Sequence, residues 1–151
     1  LDIYKQALTS SDVTDKNKRE LKFKISDCAW RTLDETLVED AKNNLRELSE
    51  DKDHDRWWAE ANESLAEFYM MKDRWSNAET IKLSLDNARN YWAGVTDLKL
   101  ARSRFIKVSF TLGDFAVQNW GYYYQDIRSI GNVKEALPPS QPLHLEGYSR
   151  S

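Results

Sequence analysis

Apolar residues recur along this chain at helical spacing, in stripes separated by short polar turns. Leu21, Ile25, Cys28, Ala29 and Thr32 fall at i, i+4, i+7, i+8 and i+11, which puts them on one face of a helix. Ile3, Tyr4, Ala7 and Leu8 precede them as the final turns of an earlier helix, ended by the polar segment SSDVTD. Asp34 is a natural N-cap for the next helix, whose inner stripe is Leu37, Ala41, Leu45 and Leu48. The charged run SEDKDHD then reads as a surface loop.

A fourth helix starts near Asp55 with Trp58, Ala61, Leu65, Phe68 and Tyr69 inward. Ser76 can cap a fifth, where Ala78, Ile81, Leu85, Ala88 and Trp92 keep the spacing until Gly94 stops it. Asp97 restarts the pattern. Leu98, Ala101, Phe105, Val108 and Leu112 form the cleanest stripe, Gly113-Asp114 is expected to break and recap the chain, and Ala116, Trp120, Tyr123, Ile127 and Ile130 line a last helix before Gly131. No stretch alternates with period two, so the spacing predicts an all-α chain of about seven helices. These occupy 1–131, and Pro138, Pro139 and Pro142 make 132–151 an extended tail.

Two stretches repeat one hairpin pattern. A shift of 37 residues places Ala29 on Ala66, Ala41 on Ala78, Cys28 on Leu65, Leu33 on Met70, Val38 on Trp75 and Leu48 on Leu85. Repetition at such a period implies stacked helix pairs, with small residues where helices approach closely. Through Leu65-Ala66, Tyr69, Trp75 and Ala78 the chain resembles the tetratricopeptide repeat. Ala29, Val38, Ala41, Leu45 and Leu48 supply an earlier copy, and YKQAL at Tyr4 to Leu8 resembles the end of a preceding second helix. Departures are Cys28 for the usual Leu, Thr32 for the aromatic, Lys82 at an apolar position, and a period longer than the usual one of about 34. DCAWR, AEANESLAEFY and NYWAG also resemble segments of bacterial, often envelope-associated, repeat proteins.

The resemblance implies an antiparallel α-solenoid whose first helices line a concave groove. Trp30, Glu60, Glu63, Glu67 and Met71 take the outward positions there. The three glutamates would select a basic peptide or helix, or else pair with Lys99, Arg102 and Arg104 of the following hairpin. Trp120, Tyr122, Tyr123 and Tyr124 crowd one helix, and since successive residues point about 100° apart, at least one ring should reach a surface and anchor a protein. Trp57 and Trp58 cannot both enter one interface for the same reason.

Composition narrows the options. A net charge of −3 without a basic tract argues against nucleic acid as a partner, and no apolar run approaches the roughly 18 residues of a membrane span. The expected setting is soluble, with the bacterial envelope or periplasm as one option, and the opening at Leu1 suggests a fragment or a processed chain. Cys28 is expected in the core. Asp51, Asp53 and Asp55 imitate the start of a calcium loop, but Arg56 replaces its turn glycine and Asn62 its closing acid. His54 and His144 have no partners at ligand spacing, and the Asn62-Glu63-Ser64 sequon lies within a helix. No phosphate loop, nucleophile elbow or metalloprotease helix is present, so neither enzyme nor cofactor is expected. The sequence thus points to a scaffold, adaptor or assembly subunit that binds a protein or another copy of itself; the alternative is a helical module holding an apolar or carbohydrate ligand.

Overall fold

The computed structural model describes residues 2–9, 14–95 and 98–129, with side chains as far as Trp120 apart from Tyr4, Leu8 and Leu98. All regular structure among these residues is helical: α1 (Asp2–Leu8), α2 (Asp15–Arg31), α3 (Glu35–Glu50), α4 (Arg56–Lys72), α5 (Ala78–Ala93) and α6 (Leu98–Ser129). The expected tail over 132–151 lies outside the described residues. No helix among them is long and apolar enough to cross a membrane.

Local chemistry sets the helix ends. Thr14, Asp34 and Asp55 stand in extended backbone, and their side chains accept the N–H of Asn17, Thr36 and Trp58 respectively. Each bond satisfies a donor that the first turn leaves free. Asn77, not Ser76, precedes α5, and its amide donates back to the Asp73 carbonyl at 2.7 Å. Gly94 follows α5 as expected. Between α2 and α3 the chain turns through Leu33, which is left-handed (φ 63°) and exposed.

The core is organised around α4. Its residues are buried without interruption from Trp57 to Ala66, a run that covers every face of a helix. Trp30 of α2 donates Nε1–H to Ser64 Oγ at 2.8 Å. On other sides Trp58 donates to the Ser49 carbonyl of α3 at 2.9 Å, and Asn87 of α5 donates to Asn62 Oδ1 at 3.2 Å. Leu45, Ile81 and Leu85 close the gaps between helices, each burial stabilising by roughly 1.5–3 kcal/mol. Trp57 and Trp58 therefore enter two interfaces. Trp57 meets Phe23 at 5.8 Å, while Trp58 stacks on His54 at 4.0 Å and lies 6.4 Å from Tyr91.

Bonds from α2 to α4 and its cap link residues 34 to 37 apart, from Arg19–Asp55 to Arg31–Glu67, so the two helices lie parallel. These separations lie at or just below the 37-residue shift of the sequence pattern. That shift is not the register in which the helices begin: α4 starts and ends 41 residues after α2 (15 to 56, 31 to 72), and α5 starts and ends 43 after α3 (35 to 78, 50 to 93). Ala29, Ala41 and Ala66 are buried, and Ala78 packs half-buried against the core.

Three expectations need correction. Gly113-Asp114 does not break the chain, because α6 runs through it and merges the expected sixth and seventh helices. A helical glycine costs about 1 kcal/mol relative to alanine, which is outweighed here by burial of Val108 before it and of Phe115 after it, the latter stacked on Trp75. Cys28 is exposed. The buried face of α2 is Ile25, Ser26, Ala29 and Trp30, rotated from the expected stripe because Ser26 and Trp30 turn inward and Cys28 turns out. Thr32 is likewise exposed, beyond the end of α2.

Ala66 has no exposed surface. Ala66→Leu should therefore overpack α4 and destabilise the fold by about 1–3 kcal/mol. Denaturant unfolding checks this, and an unchanged midpoint would show that the contact has slack.

Candidate partner-binding surface

The side formed by α2, α4 and α6 carries the residues that the sequence singles out, but it turns most of them inward. Trp30 is buried, edge-on to Phe68 at 5.8 Å, and its outer face is covered by the Arg31 guanidinium at 4.2 Å. Ser64 Oγ accepts from Trp30 and donates to Asp27 Oδ1 at 2.6 Å. The outward position expected of Trp30 is thus corrected: α4 lies close enough alongside α2 to enclose it.

Glu60 and Glu63 are buried as well, against the expectation of an open acidic face. Arg104 of α6 reaches between them, donating to Glu60 Oε1 and Glu63 Oε2 at 2.7 Å each. Arg56 holds the second oxygen of Glu60 at 2.7 Å, and Trp92 Nε1 donates to that of Glu63 at 2.8 Å. Burial pushes the Glu63 carboxyl above its ordinary value, although Arg104 and Trp92 pull it down. Only Glu67 remains half-exposed, between Arg31 at 2.7 Å and Lys107 at 3.5 Å. Of the three cations proposed from sequence as partners for these acids, Arg104 makes the pairing with Glu60 and Glu63.

The aspartate loop has a similar outcome. Its acids converge on a guanidinium: Arg19 donates Nη1–H to Asp51 at 2.6 Å, Nε–H and Nη2–H to Asp55 at 2.9 and 3.0 Å, and Nη2–H to the Asp53 carbonyl at 3.1 Å. A planar fork suits this convergence. The Asp53 N–H and then Arg19 hold the Asp51 carboxyl below its usual range. Burial works in the opposite direction at Asp55, yet Arg19 and the Trp58 N–H prevail and lower it too. Among the described residues no group of three or more His, Cys, Asp or Glu is placed to hold a metal. Asn62 is buried, and its Nδ2 donates to the Trp58 carbonyl at 2.8 Å, so the sequon nitrogen is enclosed by the fold.

An exposed apolar pair lies on α6, apart from the single exposed Ile3, Leu33, Met71 and Leu83 on other elements. Phe110 is 65% exposed and Ile106 53%, and with Arg102 they stand at i, i+4 and i+8. Lys99, Arg102, Ser103 and Ile106 line a trough of about 510 Å³. Phe105, expected inward, is 37% exposed and borders a second trough of about 290 Å³ with Trp92, Val95 and Ala101. Ile106 and Phe110 had a signal in the sequence: they form a short second apolar stripe beside the main one. Trp120 is half-buried, and the side chains of Tyr122, Tyr123 and Tyr124 lie outside the described residues. Comparison with protein-family models, curated proteins and solved structures gives no match to this chain.

Two outcomes test these charge clusters. Arg104→Met leaves Glu60 and Glu63 buried without their shared cation, which should cost about 3–5 kcal/mol at neutral pH. A carboxyl raised in the folded state, as Glu63 is, contributes stability that is full below the ordinary glutamate value of about 4.3 and lost as pH rises. The variant should therefore recover part of its deficit on acidification, as read by its thermal midpoint against that of the unmodified chain.

Asp55→Asn retains a cap for Trp58 but removes the ion pair with Arg19. A carboxyl lowered in the folded state stabilises above the unfolded value of about 3.9 and ceases to do so as pH falls through its folded value. The stability gap between the two proteins should be full near pH 6 and close below about pH 4. A gap that persists to pH 2 would mean that the clamp's charge is irrelevant.

Proposed function

We propose that this chain is a non-enzymatic scaffold or adaptor, built on tetratricopeptide-like hairpins, that holds a protein against the outer face of α6. One observation carries the reading: Ile106 and Phe110 are exposed side by side, next to Arg102, on a helix whose opposite side buries Ala101, Val108 and Phe115. Exposed aromatic and aliphatic side chains flanked by arginine make good interface centres, because they bury much area while an adjacent cation fixes orientation. The acids at positions 60 and 63 serve a different purpose in this reading. They hold α6 against α4 and so keep the recognition helix rigid, which lowers the entropy lost on binding.

The described concavities suit this reading better than a small-ligand module. Those on α6 are shallow, and one between α3, α4 and α5, of about 370 Å³, is lined largely by polar side chains such as Arg46, Asn62, Ser84 and Asn87. An apolar ligand would find no enclosed aromatic site in any of these.

A photo-crosslinking residue at position 110, introduced in the cells that make the protein, should give a discrete protein adduct. The same residue at exposed Glu39 on α3 should give none. Equal labelling at both positions, or none at 110, would remove α6 as the binding face.

A further inference from the structure

We infer that the cleft between α3, α4 and α5 is a second site, for a small zwitterion: an α-amino acid with a polar side chain. It shares no residue with the troughs of α6 and does not depend on the reading above. At about 370 Å³ it lies near the lower end of the roughly 300–1,000 Å³ typical of small-molecule sites. Its floor is buried and polar. Asn62, Tyr69 and Ser84 line it at 1%, 7% and 3% exposure, and Asn87 of α5 donates to Asn62 beside them.

Two hydroxyls of this floor have bonding capacity that the fold leaves unused. Ser84 Oγ has no hydrogen-bond partner, whereas Ser26, a buried serine of α2, donates back to the Lys22 carbonyl at 2.8 Å. Ser109 of α6 also lacks a partner, but its hydroxyl is sealed from solvent; that of Ser84 is not sealed, and the residue lines the cleft. The Tyr69 hydroxyl accepts from Arg46 Nη2 at 2.6 Å, and its own hydrogen has no acceptor among the described residues. Buried polar groups left unpaired are unfavourable. A ligand that reaches this floor supplies the missing bonds.

The rim adds one charge of each sign. Arg46 and Glu50 stand one turn apart on α3, yet among the described residues neither enters an ion pair. A cation four residues before an acid is the less favourable order on a helix, and the guanidinium turns to Tyr69 instead. A ligand carboxylate on Arg46 and the Tyr69 O–H, with an ammonium on Glu50, matches this rim, and a side-chain amide or hydroxyl then reaches Asn87 and Ser84. A neutral sugar would leave both charges unmatched, and a phosphate would meet Glu50. Both rim charges are exposed to water, so the affinity is modest, with a dissociation constant of about 1 mM.

Two-dimensional amide NMR spectra of the full chain, titrated with L-glutamine, L-asparagine and L-serine to about 20 mM each, test the inference. At least one of the three should shift the signals of Arg46, Tyr69, Ser84 and Asn87 saturably and leave those of Ile106 and Phe110 in place. For that amino acid, acetylating the amine or amidating the carboxylate should each weaken binding about tenfold or more. Glu50→Gln should remove the discrimination against the acetylated form, and Arg46→Gln that against the amide. Ser84→Ala should weaken binding severalfold without lowering the thermal midpoint, because the hydroxyl bonds nothing in the free protein. The absence of a saturable shift with all three, or equal binding of glucose at these residues, overturns the zwitterion site. Shifts confined to other residues do the same. None of these results bears on the α6 face, which crosslinking at position 110 reads separately.

Discussion

Enclosing α4 on all its sides is the constraint from which the rest of this architecture follows. A helix so placed cannot divide its positions into an apolar face and a charged face, so polar residues such as Ser64, Asn62 and Glu63 are carried inside with it. Each buried polar atom then needs a partner from a neighbouring helix. The neighbours supply them: Trp30 and Asp27 for Ser64, Asn87 for Asn62, Arg104 and Trp92 for Glu63. Hydrogen bonding to α4 thereby fixes the register of the helices around it, which apolar contact alone would leave free to slide.

Electrostatics has a specific place in this arrangement. Both arginine clusters join elements distant in sequence, Arg19 to the turn before α4 and Arg104 to the middle of α4. Two carboxylates flank a single guanidinium in each case, so the cation's planar geometry decides where the acids can stand. Removing such charges from water is unfavourable, and the gain from pairing them is modest. Their contribution lies in selecting one arrangement among several that the apolar stripes would permit.

How much could be read from the chain depended on how many neighbours a helix has. α3 and α5 carry clean single stripes: Ala41, Leu45, Leu48, Ile81, Leu85, Ala88 and Trp92 are buried as periodicity predicts, while Leu37 and Ala78 are half-buried and Val38 is buried in place of Leu37. Asp34 was legible as a cap, and the start of α4 near Asp55 was legible too, because capping is local chemistry. The errors fall where tertiary contact overrides local pattern. Arg104 was one of three cations proposed for Glu60 and Glu63, but nothing nearby in sequence tells that it alone reaches them or that both acids are buried with it. Trp30 looked outward because the hairpin resemblance assigned it a groove position that a closely set α4 fills. Gly113 looked like a stop because its helix-breaking tendency is visible in the sequence, whereas the packing of Phe115 on Trp75 is not.

The continuity of α6 also gives the molecule reach. At 1.5 Å per residue its 32 residues extend about 48 Å, against about 25 Å for the 16 and 17 residues of α3 and α4. The 16 residues beyond Gly113 alone span about 24 Å. Gly113 is itself buried, and Phe115 and Gln118 just beyond it are held by Trp75 and Arg74, so this length departs from a base that the core fixes.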